Sequence, residues 1–214
     1  MINLLTGPVV WLSLAVLLIG CAWRMIVVRR AVKKDASATA YLNRQGSLRS
    51  LAHWLVPFAA LNMRQRPLIT VISFAFHIGL LASPLFLLAH VILIRRAVGV
   101  AIPAWPDAVA TVLVWMVVVS GLALAVRRAT EPTVRYISTP RDWLSLVIAV
   151  APFVTGLVAR HQLLAPEIAV GLHVVTGCIW IAALPWTRLM HLFNFTFTRA
   201  LMGSEYGHRN ARDW

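Results

Sequence analysis

The chain has 214 residues, of which 60% are hydrophobic and only 13% are charged. A water-soluble domain carries about 25% charged residues, so this composition predicts an integral membrane protein with a single domain (residues 1–214). The net charge is +13, but the basic residues stand between apolar runs rather than on one polar face. That pattern excludes a nucleic-acid-binding surface and indicates contacts with lipid headgroups.

Two cysteines, Cys21 and Cys178, lie inside apolar runs and are predicted to be small core residues. The sequence contains neither a C-x-x-C-H motif nor a cysteine cluster. This excludes covalently attached c-type haem and a cysteine-bound iron–sulfur cluster. No basic segment precedes the N-terminal apolar run, which is therefore expected to be a retained helix rather than a cleaved signal.

Five apolar runs are long enough to cross a bilayer, for which about 20 residues are needed. In chain order they cover residues 4–28, 68–94, 107–126, 142–159 and 167–194. The fourth run is the shortest and contains Pro152. However, the sequence from Thr139 to Asp142 offers a hydroxyl N-cap, a proline at the first helical position and an acid in the first turn. The predicted fold is an all-α bundle of five transmembrane helices.

The basic residues predict how the chain is oriented in the membrane. One side carries Arg29, Arg30, Lys33, Lys34, Arg44, Arg49, Arg64, Arg66, Arg127, Arg128, Arg135, Arg141, Arg199, Arg209 and Arg212, and the other carries Arg95, Arg96 and Arg160. Because positively charged loops stay in the cytoplasm, the N-terminus is predicted outside and the C-terminus in the cytoplasm of a bacterial inner membrane. The first inner loop contains a predicted amphipathic interfacial helix at 47–63.

Four of the seven histidines lie within predicted spans: His77 and His90 in the second, His173 and His191 in the fifth. Imidazole is costly to bury without a partner, and inside a membrane it is a candidate functional group. A separation of 18 residues returns to the same helix face after about 27 Å, so His173 and His191 would stand near opposite membrane faces. His77 and His90 point about 140° apart on an ideal helix, but Ser83-Pro84 between them can kink it.

The antiparallel course of the two spans predicts two histidine pairs. His77 would face His191 near the cytoplasm, and His90 would face His173 near the outer side. Two imidazoles at each site predict two low-spin haems b, since both axial positions of each iron are then occupied. Three glycines close to the histidines, Gly79, Gly171 and Gly177, would let a porphyrin approach the backbone. The alternative for each histidine is a helix–helix hydrogen bond.

The sequence also resembles a known family. The fifth span, with L-H-x17-H and "PWTRLMH" (185–191), resembles the membrane cytochrome b (gamma) subunit of respiratory nitrate reductase. The stretches "RPLITVISFAFHIGLLASPLFLLAH", "TPRDW" and "GSEYG" are more similar to the membrane anchors of sulfate-reducer transmembrane electron-transfer complexes and their heterodisulfide-reductase-like relatives. The resemblance covers roughly residues 65–214. It implies two haems b, quinol chemistry near the outer haem and a cytoplasmic iron–sulfur partner; the second branch also implies a periplasmic multihaem cytochrome c.

A quinone site on the outer side is a further implication of the resemblance. The candidate contacts to quinone or to haem propionates are Arg95, Arg96, Asp107, Arg160, His161 and Glu167. An arginine beside a haem commonly neutralises propionates. His161 is otherwise predicted to be solvated, as are His53 in the interfacial helix and His208 in the tail.

The predicted function is electron transfer between the (mena)quinone pool and soluble partners. The sequence shows no acid–base pair, nucleophile or metal cage beyond the haem ligands, so the terminal substrate would react on another subunit. Two alternatives remain: a transporter or proton channel with histidine relays, and a haem-free membrane anchor. Against a transporter, no Asp or Glu lies in the middle of a span and no inverted repeat is visible.

Overall fold

The computed structural model describes residues 5–34 and 43–209 of the chain. Residue 4, the predicted start of the first span, and Arg212 lie outside the described residues. The described helices are α1 (Val10–Lys34, after a π-helical turn at Leu5–Val9), α2 (Arg44–Leu55), α3 (Leu61–Gln65), α4 (Pro67–Phe86), α5 (Leu88–Val98), α6 (Asp107–Thr130), α7 (Pro132–Ile137), α8 (Pro140–Arg160), α9 (Pro166–Ala183) and α10 (His191–His208). Two 3-10 turns, Leu184–Trp186 and Arg188–Met190, separate α9 from α10.

Five helical segments are long and apolar enough to cross a membrane. They are Leu5–Lys34, Pro67–Phe86, Asp107–Thr130, Pro140–Arg160 and Pro166–Trp186. The prediction of an all-α, multi-pass membrane protein is confirmed at this level, and lipid therefore surrounds these helices. The fourth span begins as predicted, because the Thr139 backbone N–H donates to Asp142 Oδ2 at 2.8 Å and Pro140 is the first helical residue.

The second span is interrupted, unlike the continuous run predicted for residues 68–94. Leu87 has an extended backbone (φ −70°, ψ 129°) and separates α4 from α5. The break lies three residues after Pro84, which cannot donate a backbone hydrogen bond within α4. His77 and His90 therefore belong to different helices, and the phase mismatch calculated for one ideal helix does not apply to them.

The fifth span also departs from its predicted extent of 167–194. The helix α9 ends at Ala183, and Pro185 lies in the first of the two 3-10 turns that follow. Pro185 is buried against α1, where a Cβ on Gly20 would lie 2.6 Å from the proline Cγ. His191 is the first residue of α10. The prediction that His173 and His191 share one face of a continuous helix is therefore wrong.

The described residues fall into two compact units. The first holds Ile72–Gly177 together with residues 5–6, and the second holds the other described residues. In the first unit, α6 packs closely on α4 at Gly79, where a Cβ would lie 2.7 Å from the Leu113 carbonyl oxygen. The fully buried Val117 and the buried Phe153 belong to the core of this unit.

In the second unit, α2 packs against α10 through small residues. A Cβ on Gly46 would lie 2.2 Å from the Gly203 carbonyl oxygen, and a Cβ on Gly203 would lie 2.4 Å from the Gly46 carbonyl oxygen. The Ser47 hydroxyl donates to the Ala200 carbonyl oxygen at 2.8 Å. The predicted interfacial helix at 47–63 is thus two helices, α2 and α3, and α2 uses its small-residue face to contact α10.

Candidate functional site

His90 on α5 and His173 on α9 come together within the first unit. Their ring centroids are 5.8 Å apart, and the two ring planes differ by only 6°. Both side chains are partly buried. Offset-stacked aromatic rings usually have centroids about 4.5–7 Å apart, and this pair falls within that range. The two histidines predicted to face each other are therefore neighbours, and their role as haem ligands stays a prediction.

Each histidine of this pair is held by the carbonyl oxygen of a proline. His90 Nδ1 donates to the Pro84 carbonyl oxygen at 3.1 Å, and His173 Nδ1 donates to the Pro152 carbonyl oxygen at 2.9 Å. A carbonyl oxygen only accepts, so the hydrogen must reside on Nδ1 in each ring. The neutral ring then carries its lone pair on Nε2, which is the arrangement found in histidines that bind a metal.

The donor set fits haem b. Two neutral imidazoles, each with its lone pair on Nε2, are the side chains that would hold the iron. Among residues 5–34 and 43–209, no three His, Cys, Asp or Glu side chains converge on one metal position. Two imidazoles alone suit an iron whose other ligands come from a porphyrin.

The glycines predicted to line a porphyrin differ in their surroundings. A Cβ on Gly177, one helical turn after His173, would meet no atom within 4 Å. A Cβ on Gly171 would make only an ordinary contact, 3.8 Å from Leu5 Cδ1. Gly79 is different, because α6 fills the space beside it. Open space on the side of α9 that carries His173 therefore lies at Gly177, because Gly171 is two residues before His173 and points to another side of the helix. Gly79 contacts α6 instead.

The break in the second span positions His90. The Trp105 backbone N–H donates to the Phe86 carbonyl oxygen at 3.0 Å, and the two aromatic rings stack with centroids 4.6 Å apart and planes 3° apart. Helix ends leave carbonyl oxygens without a partner in the helix. Here Trp105 satisfies one at the end of α4, and His90 binds another, that of Pro84.

The other two predicted ligands lie in different units: His77 in the first and His191 in the second. Both side chains are exposed. His77 Nδ1 donates to the Ser73 carbonyl oxygen at 2.7 Å, and His191 Nδ1 donates to the Arg188 carbonyl oxygen at 2.8 Å. Nδ1 is thus the nitrogen that binds the backbone in each ring, as in His90 and His173. The pairing of His77 with His191 stays a prediction.

Two of the predicted outer quinone or propionate contacts, Asp107 and Arg160, bind each other. Arg160 makes a two-pronged ion pair with Asp107, with Arg160 Nη1 2.8 Å from Asp107 Oδ1. This pair joins the start of α6 to the end of α8, where each charge also suits its helix dipole. The remaining candidates, Arg95, Arg96, His161 and Glu167, are exposed. Arg95 and Arg96 lie in the last turn of α5, on the helix that carries His90.

The chain has a relative of nearly equal length. A protein of Nitratidesulfovibrio vulgaris (strain Hildenborough) is 35% identical over 207 residues, covering 94% of this chain and 92% of its own. The chain belongs to the family of that protein. The description of the relative names no activity, and no family model matches the chain. The match extends over both compact units of this chain.

Several residues around His173 were not identified from the sequence. Thr155 on α8 and Thr176 on α9 share a hydrogen bond of 2.9 Å between their hydroxyl oxygens. A Cβ on Gly156 would lie 3.2 Å from His173 Cε1. A proline inside an apolar span is a visible signal for Pro152, but a backbone carbonyl acceptor has no side-chain signature. Only the folded contact between α8 and α9 reveals which carbonyl the histidine binds.

Proposed function

We propose that this chain is a dihaem cytochrome b subunit that carries electrons between the (mena)quinone pool and a cytoplasmic iron–sulfur partner. The observation that carries the proposal is the parallel His90–His173 pair, with both Nδ1 atoms donating to proline carbonyl oxygens. A b-type haem held by His90 and His173 would supply one-electron transfer chemistry. The resemblance to the nitrate reductase gamma subunit supports the same function.

The residues of the chain orient the ligands and hold their protons. The carbonyl oxygens of Pro84 and Pro152 keep a hydrogen on Nδ1 of His90 and His173, so both rings offer Nε2. The assignment of His77 and His191 to a second haem rests on the sequence, in which the second and fifth spans each carry two histidines. Arg95 and Arg96 at the end of α5 would neutralise haem propionates or contact quinone.

The proposed orientation places the N-terminus outside and the C-terminus in the cytoplasm of a bacterial inner membrane. Three arginines mark the outer side, and the cytoplasmic side carries the larger basic set. Reporter fusions after residues 100 and 214 are expected to score outside and inside, respectively. The reverse pattern would move the His90–His173 pair to the cytoplasmic side and overturn the proposed order of the two sites.

Quinol oxidation near the His90–His173 pair would release protons outside while its electrons move inward. An electron moving inward works against a potential that is negative inside, about 2.3 kcal/mol per 100 mV for a full crossing. The reaction must therefore run downhill from quinol to the inner partner. A periplasmic multihaem cytochrome c is a further candidate partner, and it would deliver or accept electrons at the same outer site.

The test is a reduced-minus-oxidised absorption spectrum of the purified protein, with haem counted per chain. We expect a b-type α band and two haems. A transporter, proton channel or haem-free anchor would give no such band, so its absence would reject the proposal. In proteoliposomes with an oxidant inside, added quinol should acidify the outer medium. Haem reduction that is insensitive to quinol would reject the quinol-oxidising role while keeping the cytochrome.

A further inference from the structure

We propose that the segment Pro152–Gly156 of α8 positions His173 and sets the reduction potential of the haem at the His90–His173 pair. The inference rests on the proposed function. It concerns a helix that carries no ligand itself, and it assigns these residues a positioning role.

The first contact is the hydrogen bond from His173 Nδ1 to the Pro152 carbonyl oxygen, 2.9 Å long. Donation to a carbonyl increases the basicity of the opposite nitrogen, Nε2, as a metal ligand. A more basic ligand stabilises the oxidised, more positive iron over the reduced iron. The bond therefore lowers the reduction potential, and weakening it should raise the potential.

The second contact fixes the distance between the two helices that make this bond. Thr155 Oγ1 lies 2.9 Å from Thr176 Oγ1, and either hydroxyl can donate its hydrogen to the other. Thr176 follows His173 by three residues, on the same side of α9. The hydroxyl pair therefore holds α9 against α8 within one turn of the histidine.

The third feature is the absence of a side chain at Gly156. A Cβ there would lie 3.2 Å from His173 Cε1 and 3.3 Å from His173 Nδ1. Such distances are shorter than ordinary van der Waals contacts of about 3.5–4 Å, so the imidazole would have to move by a few tenths of an ångström. Glycine at this position lets the ring lie close to α8, where it can reach the Pro152 carbonyl oxygen.

The experiment compares Gly156→Ala and Thr155→Val with the unaltered protein in redox titrations followed by absorbance and by low-spin electron paramagnetic resonance. Gly156→Ala should displace the His173 ring and raise the reduction potential of the His90–His173 haem. We expect a rise of about 59 mV, which is a tenfold change in the equilibrium between the oxidised and reduced haem for one electron. Thr155→Val removes the interhelical hydroxyl bond without adding volume, and should raise the same potential by less. The resonance signal of that haem should change, because it depends on imidazole orientation.

Gly7→Ala is the matched control, since a Cβ on Gly7 meets no atom within 4 Å, and both potentials should stay unchanged in it. If Gly156→Ala fails to accumulate in membranes, Thr155→Val decides the question. A wild-type protein without a b-type band would reject the proposed function itself. Two haems with unaltered potentials and signals in the variants would leave that function intact and overturn only the role of Pro152–Gly156.

Discussion

The four histidines assigned as haem ligands share one hydrogen-bonding pattern but reach it in two ways. His77 and His191 donate to carbonyl oxygens four and three residues earlier in their own chain segments. His173 donates to Pro152, which is 21 residues away on another helix, and His90 donates to Pro84 across the break in the second span. Local geometry orients the first two rings, whereas packing between elements orients the others.

A single helix can provide the hydrogen bonds of His77 and His191, whereas those of His90 and His173 require the tertiary fold. A bond to the preceding turn forms wherever a histidine stands in a helix with a suitable rotamer, so it carries little information about function. The hydrogen bond of His90 needs the break between α4 and α5, and that of His173 needs the close approach of α8 to α9. Their partly buried rings also lie parallel at 5.8 Å. The His90 and His173 rings are therefore oriented by contacts beyond their own helical turns.

The largest expected effect comes from removing single ligands. His90→Ala or His173→Ala should each abolish one haem and leave the other, and His77→Ala or His191→Ala should do the reverse. The physical reason is that an iron with one axial imidazole is held weakly by the protein. Haem per chain, measured by pyridine haemochrome absorbance, and the two midpoint potentials provide the readout.

His208→Ala serves as the control for these variants, because this histidine ends α10 outside every candidate span. The amount of each variant in the membrane must be measured alongside, since misassembly would also lower the haem content. A loss of both haems in a well-assembled single variant would refute the assignment of ligands to two separate pairs.

A second prediction tests whether the two units respond independently. Gly203→Ala would place a Cβ 2.4 Å from the Gly46 carbonyl oxygen and force α2 and α10 apart. Overpacking of this kind costs about 1–3 kcal/mol, so the Tm of the protein should fall. Because α10 begins with His191, the haem assigned to His77 and His191 should be lost first on heating.

The same heating experiment on Gly7→Ala should match the unaltered protein, since the added methyl group there meets open space. Absorbance of the two haems during heating separates the outcomes. If Gly203→Ala lost the His90–His173 haem first, the expectation that a change in the second unit affects the haem assigned to His77 and His191 would be wrong.

Much of the fold could be predicted from the sequence, because membrane spans are long apolar runs whose length is fixed by the bilayer. The start of α8 was also predictable, since Thr139, Pro140 and Asp142 each favour a helix N-terminus for a separate physical reason. The ends of the second and fifth spans were not. Apolar residues continue past Leu87 and Ala183, so hydropathy does not show that the helices end there, and Pro84 and Pro185 are the sequence signals near the two breaks.

Some features of the candidate site could be predicted from the sequence and others could not. The pairing of His90 with His173 followed from the direction of successive spans, and their rings do lie together. The role of Gly79 was predicted wrongly, because a glycine that admits a porphyrin and one that admits a neighbouring helix look alike in sequence. Asp107 and Arg160 were predicted as quinone or propionate contacts, and the structure joins them as an ion pair. The ion pair forms because the start of α6 lies beside the end of α8, which the sequence alone does not show.

The smallest expected effect concerns Trp105, which covers the break beside His90. Trp105→Leu keeps the backbone N–H bond to Phe86 but removes the stacked ring. An aromatic pair contributes about 0.5–1.5 kcal/mol beyond its buried area, so the break should loosen without unfolding the chain. The haem at His90 and His173 should then dissociate faster to an apo-protein acceptor, while the other haem keeps its rate. Trp115→Leu is the matched control, because Trp115 lies on α6 with 46% of its surface exposed. Equal rates in both variants would show that the contact between Trp105 and Phe86 does not hold His90 in place.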